Sequence, residues 1–440
     1  MSLLHTIRKL FTSSPVSKID EPNITFGRYS DAYKTEAQYD HLNKSVLFFE
    51  NHQYLKAYAA FFDYLLDTKE NNVSYTLGNH KIDFEIIQGS KKIVGYATTD
   101  QLIATVNVVK YDLLSVPCMR KLLETNYYFK YCRFATDENA QIVCLKFSTS
   151  VLDGSPYKLY FALKEMAIEA DKQDDLLLKR FPKVLQEIDS APIYLCSKKE
   201  KQVKYHYLKK WINDTLYRIK KLDSNTYGKE ISFILLNLCY KIDYLIAPQA
   251  QLKHQLESIS DLYFSNENMP VTKLNALLIQ AFEKIADISK KDIRLELYGV
   301  KATFGIVDHT NPDKVLLIIG DLLEDFSTTP NTTSLPILEY ALQYCFFHFG
   351  IPNAIKAVFH LIVRVINVDY FEDLGYHTLY YKPDKQKFDK SAIKQALKQI
   401  EAEAQQEYPN FKLNHKKISY KSVFNFSHSL LVHLQQTNYD

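Results

Sequence analysis

Glycine is scarce, 11 in 440 residues. Phosphate-cradling loops and the first turn of a dinucleotide-binding fold rely on glycine for close backbone approach, so the scarcity argues against both. Net charge is also small, +3 at pH 7, and gives no global nucleic-acid signal. No two of the six cysteines (Cys118, Cys132, Cys144, Cys196, Cys239, Cys345) form a CxxC pair. Most have apolar neighbours, so they are expected as reduced packing residues of a cytoplasmic protein rather than a disulfide frame. HExxH is missing, as is a His pair near cysteine. Asp153-Gly154-Ser155 lacks the flanking glycine of a nucleophile elbow and reads as a helix cap. No secretory h-region follows Met1–Phe11. The longest apolar part, Tyr340–Ile366, is broken by His348, Gly350-Ile351-Pro352, Lys356, His360 and Arg364, too often for a spanning helix.

What is present is aromatic bulk, 32 Tyr and 26 Phe, in a chain long enough for two or three domains. Val73, Tyr75 and Leu77 alternate with Ser74 and Thr76, Gly78-Asn79 turns, and Ile82, Phe84 and Ile86 alternate with charged residues. Period-two alternation across a short Gly/Asn connection predicts a hairpin with one buried face. Ile93–Thr98, Leu102–Val109, Phe129–Phe134 and Ile142–Phe147 read as further extended runs, the last in the interior of the sheet. Helical spacing covers Ala37–Leu66, with a break expected at Asn51-His52, and a short helix from Ser115-Pro117 in which Met119, Leu122, Leu123 and Tyr127 recur. Ser155-Pro156 starts another helix to about Ala170, followed by a charged exit at Asp171–Asp175 and a further helix over Leu176–Ile188, interrupted by Pro182.

The expected fold is α+β: a 1–35 arm, an N-terminal antiparallel sheet with flanking helices over 36–197, and a mostly α-helical domain over 198–440. In the arm, Leu3–Phe11 reads as a short amphipathic helix. The helical part is expected to contain Lys198–Leu222, Val271–Ile288 (capped by Thr272), Val315–Phe326, Leu335–Phe349, Ala354–Val365, Ser391–Gln406 and Tyr420–Gln435. Only Ile293–Val307 reads as extended.

Three constellations carry chemistry. Lys198–Lys221 is basic with interleaved aromatics, and Lys204, Tyr205, Lys209, Lys210 and Trp211 are its candidate contact residues. Cations neutralise phosphate and aromatics stack on bases, so the stretch suits nucleic acid. It equally suits a solvated helix packing its aromatic edge on a core, and the near-neutral total charge favours that. Lys356, His360 and Arg364 recur every four residues, one row on a helix. The row fits an acidic partner or a phosphate, or simply the wet side of a buried helix. Asp308, His309 and Asp313 are metal or acid–base groups by type, but Asn311-Pro312 makes their stretch an ordinary turn.

Helix, three strands, helix, two strands, helix over about Ala37–Asp175 resembles the type III secretion chaperone-like fold and the YbjN-like bacterial sensory-transduction regulators. The residues that carry it are Leu122-Leu123-Glu124-Thr125-Asn126, Arg133-Phe134-Ala135-Thr136-Asp137 and Ile142-Val143-Cys144-Leu145. The resemblance implies a partner-binding domain, often dimeric, that holds another polypeptide and has no catalytic residues. The expectation is therefore a non-enzymatic protein-binding or scaffold protein without metal or cofactor, with exposed Tyr and Phe as anchors. The alternatives are a nucleic-acid binder using 198–221 and an enzyme built around Asp308 and His309.

Overall fold

The computed structural model describes residues 21–27, 33–188, 190–266, 268–305, 312–325 and 331–439. Helices α1 (Glu36–Glu50) and α2 (Tyr54–Leu65) part at Asn51-His52, where His52 takes a positive φ of 58°. Thr35 and Gln38 cap α1 reciprocally. Four strands follow: β1 (Val73–Leu77), β2 (Ile82–Gln88), β3 (Lys91–Ala97) and β4 (Gln101–Tyr111). After α3 (Val116–Asn126) come β5 (Arg133–Asp137) and β6 (Ile142–Ser150), then the long α4 (Pro156–Arg180) and a two-residue β7 (Leu185–Gln186). The sheet is antiparallel in the order β1-β2-β3-β4-β6-β5, and β7 pairs with the end of β4. The helix α3 is preceded by four strands, one more than the resemblance implies.

Alternation decides which face is dry. Ile82, Phe84 and Ile86 point into the core while Asp83 and Glu85 stay in water. Phe62 on α2 meets Phe84 with ring centroids 4.6 Å apart. Leu159, Leu163, Met166 and Ala170 close the same face from α4. At Asp171–Asp175 the chain does not leave the helix. α4 runs unbroken to Arg180 and stops before Pro182, where a turn and β7 take the place of the further helix. The acidic run stays because it faces a buried partner: Lys91, 1% exposed, lies 2.7 Å from Asp174 and also donates to the carbonyls of Val108 and Ile188.

The second core is helical. It takes in β8 (Tyr194–Leu195), α5 (Lys198–Ile219), α6 (Gly228–Lys241, continued by a π turn over Ile242–Ile246), α7 (Ala250–Phe264) and α8 (Val271–Asp287). Next come α9 (Lys290–Leu295) and β9 (Tyr298–Gly299), so Ile293–Val307 is mostly not extended. Helices α10 (Pro312–Asp325), α11 (Asn331–His348), α12 (Asn353–Ile366), α13 (Val368–Leu374), α14 (Lys390–Ala404) and α15 (Val423–Gln435) complete it, with a small hairpin β10 (Tyr381–Lys382) and β11 (Lys387–Phe388). Pro270, not Thr272, precedes α8, which has no side-chain cap. The segment Leu3–Phe11 lies outside the described residues. No helix among those described is long and apolar enough to cross a membrane.

The two cores are stitched together by a segment from the second half. Thr303 and Phe304 both donate their backbone N–H to the Gln88 side-chain oxygen, at 3.0 and 2.9 Å. The Gln88 amide donates back to the Phe304 carbonyl, and Phe304 itself sits in the sheet core.

Candidate functional site

The helix α3 carries two apolar stripes. Cys118, Leu122 and Thr125 face the sheet. Val116, Met119, Leu123 and Tyr127, spaced three or four apart, face outward, with Leu123 69% and Tyr127 86% exposed. Leu113 before the helix and Tyr128 after it extend the outward stripe. Exposed Tyr157 and Phe161 on α4 lie one helical row from Glu165. That carboxylate accepts the backbone N–H of Lys130 and Tyr131, each at 2.7 Å, and of Cys132 at 3.0 Å, so it pins the loop just after Tyr127-Tyr128. The α3 stripe, with Leu113 and Tyr128 at its ends, gathers large exposed apolar groups on one short helix, the kind of surface that marks an interaction site.

Local chemistry fixes the helix so that this surface is presented. The Ser115 hydroxyl accepts from the Cys118 N–H, and Pro117 sits in the first turn. At the other end, Asn126 closes the sheet edge. Its amide donates to the Phe134 carbonyl at 3.3 Å, and its oxygen accepts the Phe134 N–H at 2.6 Å. The β5 edge is therefore blocked at Phe134, near its start, which disfavours strand addition there. Replacing Glu165 with alanine is expected to free three amides at once. Hydrogen exchange at Lys130, Tyr131 and Cys132 should speed up by at least tenfold, an order of magnitude consistent with losing hydrogen bonds to a charged acceptor. Unchanged protection there would show that the loop is held by something else.

The basic stretch is mostly spoken for. Lys204 is buried and pairs with Glu200 at 3.0 Å. Lys209 donates to the Ala286 carbonyl and, at 2.8 Å, to that of Ile288, where it caps the end of α8. Trp211 packs on Tyr207 and Tyr370, and the Lys241 ammonium lies 4.6 Å from its ring. Tyr205 is half-buried between Lys209 and Lys290. Lys210 stays exposed beside the Tyr207 ring. Of the five, Lys204, Lys209 and Trp211 are thus committed to packing inside the chain. Composition alone cannot separate a lysine on water from one capping a neighbouring helix.

The Lys356, His360 and Arg364 row is not the wet side of α12. Arg364 forms a two-pronged contact with Glu21, both oxygens at 3.1 Å, and lies 4.7 Å from the rings of Tyr376 and Tyr380. His360 meets the Tyr244 hydroxyl at 2.9 Å. Burial, with Arg364 and Lys356 beside it, pulls the His360 pKa down to about 3, so the ring is neutral at pH 7. Burial likewise lowers the Lys356 ammonium. Phe26 packs over this row, against His360, Phe371 and Tyr376. The row therefore anchors residues 21–27 to the helical core.

Asp308 and His309 lie outside the described residues, and Asp313 is exposed in the first turn of α10. Among the described residues no group of three or more His, Cys, Asp or Glu side chains is placed to hold a metal ion. All six cysteines are free, five of them buried. No family model matches the chain, and no curated protein is significantly similar to it.

Proposed function

We propose that the chain is a non-enzymatic polypeptide-binding protein of the cytoplasm, built on a secretion-chaperone-like platform, with α3 as its grip. The observation that carries this reading is the outward stripe Val116, Met119, Leu123 and Tyr127 on a helix already anchored by its other side. Leaving large apolar groups in water is unfavourable by about 1.5–3 kcal/mol for each side chain that a partner would bury. Met adapts its shape, and Tyr brings area with few rotors, a composition suited to gripping a peptide. The exposed Arg120 and Glu124 on the same helix flank the stripe with one charge of each sign and suit a polar rim.

The test is a photo-crosslinking residue in place of Tyr127 in the native host. A discrete polypeptide adduct is expected, lost when Leu123→Asp is added and absent when the probe replaces Lys146 on the open face of the sheet. No adduct at position 127, or equal labelling from both positions, overturns the proposal. Sedimentation of the purified chain identifies the partner when it is a second copy, since Leu123→Asp would then turn a dimer into a monomer.

A further inference from the structure

Cations without a carboxylate partner gather where α5 meets α9. Lys201, Lys290, Lys291, Arg294 and Leu295 line an open cleft of about 570 Å³. Lys201 is fixed there by donating to the Arg294 carbonyl at 2.9 Å. None of the four basic side chains forms an ion pair with a carboxylate among the described residues, and the nearby Asp292 is tied to Ser289 at 2.7 Å. Lys198 and Lys199 on the first turn of α5 are exposed as well.

Apolar groups stand exposed around the same cleft. Leu295 on its rim is 64% exposed. Leu195, 76% exposed, pairs in β8 with Tyr298, three residues beyond Leu295, and Tyr194 beside it pairs with Gly299. Ile193 is exposed next to them. Uncompensated lysine and arginine next to exposed leucine and tyrosine is the pairing that holds a protein to a charged lipid surface. The cations meet phosphate headgroups, and the leucines enter the acyl boundary. Nucleobases are matched less well, because the Tyr205 ring already has Lys209 and Lys290 near it.

We propose that the α5–α9 cleft and the β8 tip form a docking surface for an anionic phospholipid bilayer. The full chain is mixed with vesicles of phosphatidylcholine alone, or with about a third phosphatidylserine, and floated on a gradient. Binding is expected only with the serine lipid, and is lost as salt rises from about 50 to 500 mM as the headgroup charge is screened. Lys290→Glu/Lys291→Glu/Arg294→Glu should lower partitioning on the order of a hundredfold or more, since each cation near such a surface adds a few-fold or more to binding. Leu195→Ser/Leu295→Ser should lower it too, while leaving its salt dependence intact. All of these positions lie at the surface, and an unchanged circular dichroism spectrum checks that the variants fold. Two results overturn the proposal: no flotation with serine lipid at low salt, or flotation indifferent to both sets of changes. Tripolyphosphate and a single-stranded RNA serve as soluble probes. Tight binding of either one that survives the leucine changes, without vesicle binding, assigns the cleft to a soluble anion and overturns the membrane reading.

Discussion

Glu339→Ala is expected to destabilise the helical half by about 3–5 kcal/mol, the cost of removing one partner from a buried ion pair. Glu339 on α11 is 6% exposed. It takes a salt bridge from Lys241 at 3.1 Å and hydrogen bonds from Asn237 and Asn367 at 3.1 and 2.9 Å. Burial alone pushes this carboxyl up. The Lys241 ammonium and the two asparagine amides together outweigh it, and the group sits below the ordinary carboxylate range. Three helical segments converge on this one acid: α6 through Asn237 and Lys241, α11 through Glu339 itself, and the α12–α13 junction through Asn367. Without it, Lys241 keeps its charge in a largely dry place and two amides lose their acceptor. Because the folded pKa is depressed, the stabilisation is complete above the unfolded value and fades as pH falls through the folded one. The loss caused by Glu339→Ala should therefore shrink in acid. The chain's single tryptophan is a built-in probe, since the Lys241 ammonium lies 4.6 Å from the Trp211 ring. Denaturant titration followed by its fluorescence should show the earlier transition. Adding Lys241→Met to Glu339→Leu should recover much of the loss. A cost below about 1 kcal/mol would mean that water or rearrangement satisfies these groups, contrary to the buried network described.

The second large effect is one of pH. Burial first, then the charges of Asp174 and Asp171, push the Asp175 pKa up to about 8, against a partial pull from Lys91. The folded chain thus keeps a proton here that the unfolded chain gives up near the ordinary aspartate value. Between roughly pH 4 and 8 the folded state keeps the proton that the unfolded state has lost, so this group's contribution to stability falls as pH rises, and above about 8 that slope ends. Asp175→Asn removes the titration. The variant should match the wild type near pH 4 and gain on it steadily, reaching a few kcal/mol by pH 9, since each pKa unit corresponds to about 1.4 kcal/mol. Thermal unfolding at pH 5, 7 and 9 measures the gap. A gap of constant size across that range would refute the assignment.

Much of the sheet half was legible because local rules and tertiary demands agree there. The alternation at Val73–Ile86, the break at Asn51-His52 and the caps at Ser115 and Ser155 each state a local preference that packing then uses. Local pattern is silent where a residue's surroundings decide its role. Asp171–Asp175 reads as a charged exit from the helix, yet Lys91 and Lys253 reach it from other elements, Lys253 standing 3.4 Å from Asp171. The helix α6 and its π turn left no amphipathic trace, because Ile231, Leu235, Leu238, Ile242, Leu245 and Ile246 are covered on several sides. The outward stripe of α3 was only half visible. Met119, Leu123 and Tyr127 show helical spacing, as does Leu122, and spacing alone cannot say which row meets the sheet. The α5–α9 cleft was hidden for a further reason: its cations come from two segments nearly ninety residues apart, Lys201 and Lys290, and Arg294 fell in a stretch read as extended.

The ring of Phe304 ties the timing of assembly to the order of synthesis. Phe304 is 1% exposed inside the first core and its backbone is held by Gln88, while the last strand of that sheet, Leu185–Gln186, is made far earlier. On the ribosome, every strand of the sheet can pair while the space for this aromatic is still empty. Phe304 follows α9 in the chain, so it can fill that space only after all of α5 to α9 has left the exit tunnel, and a chain cut short before it would leave the seam unfilled.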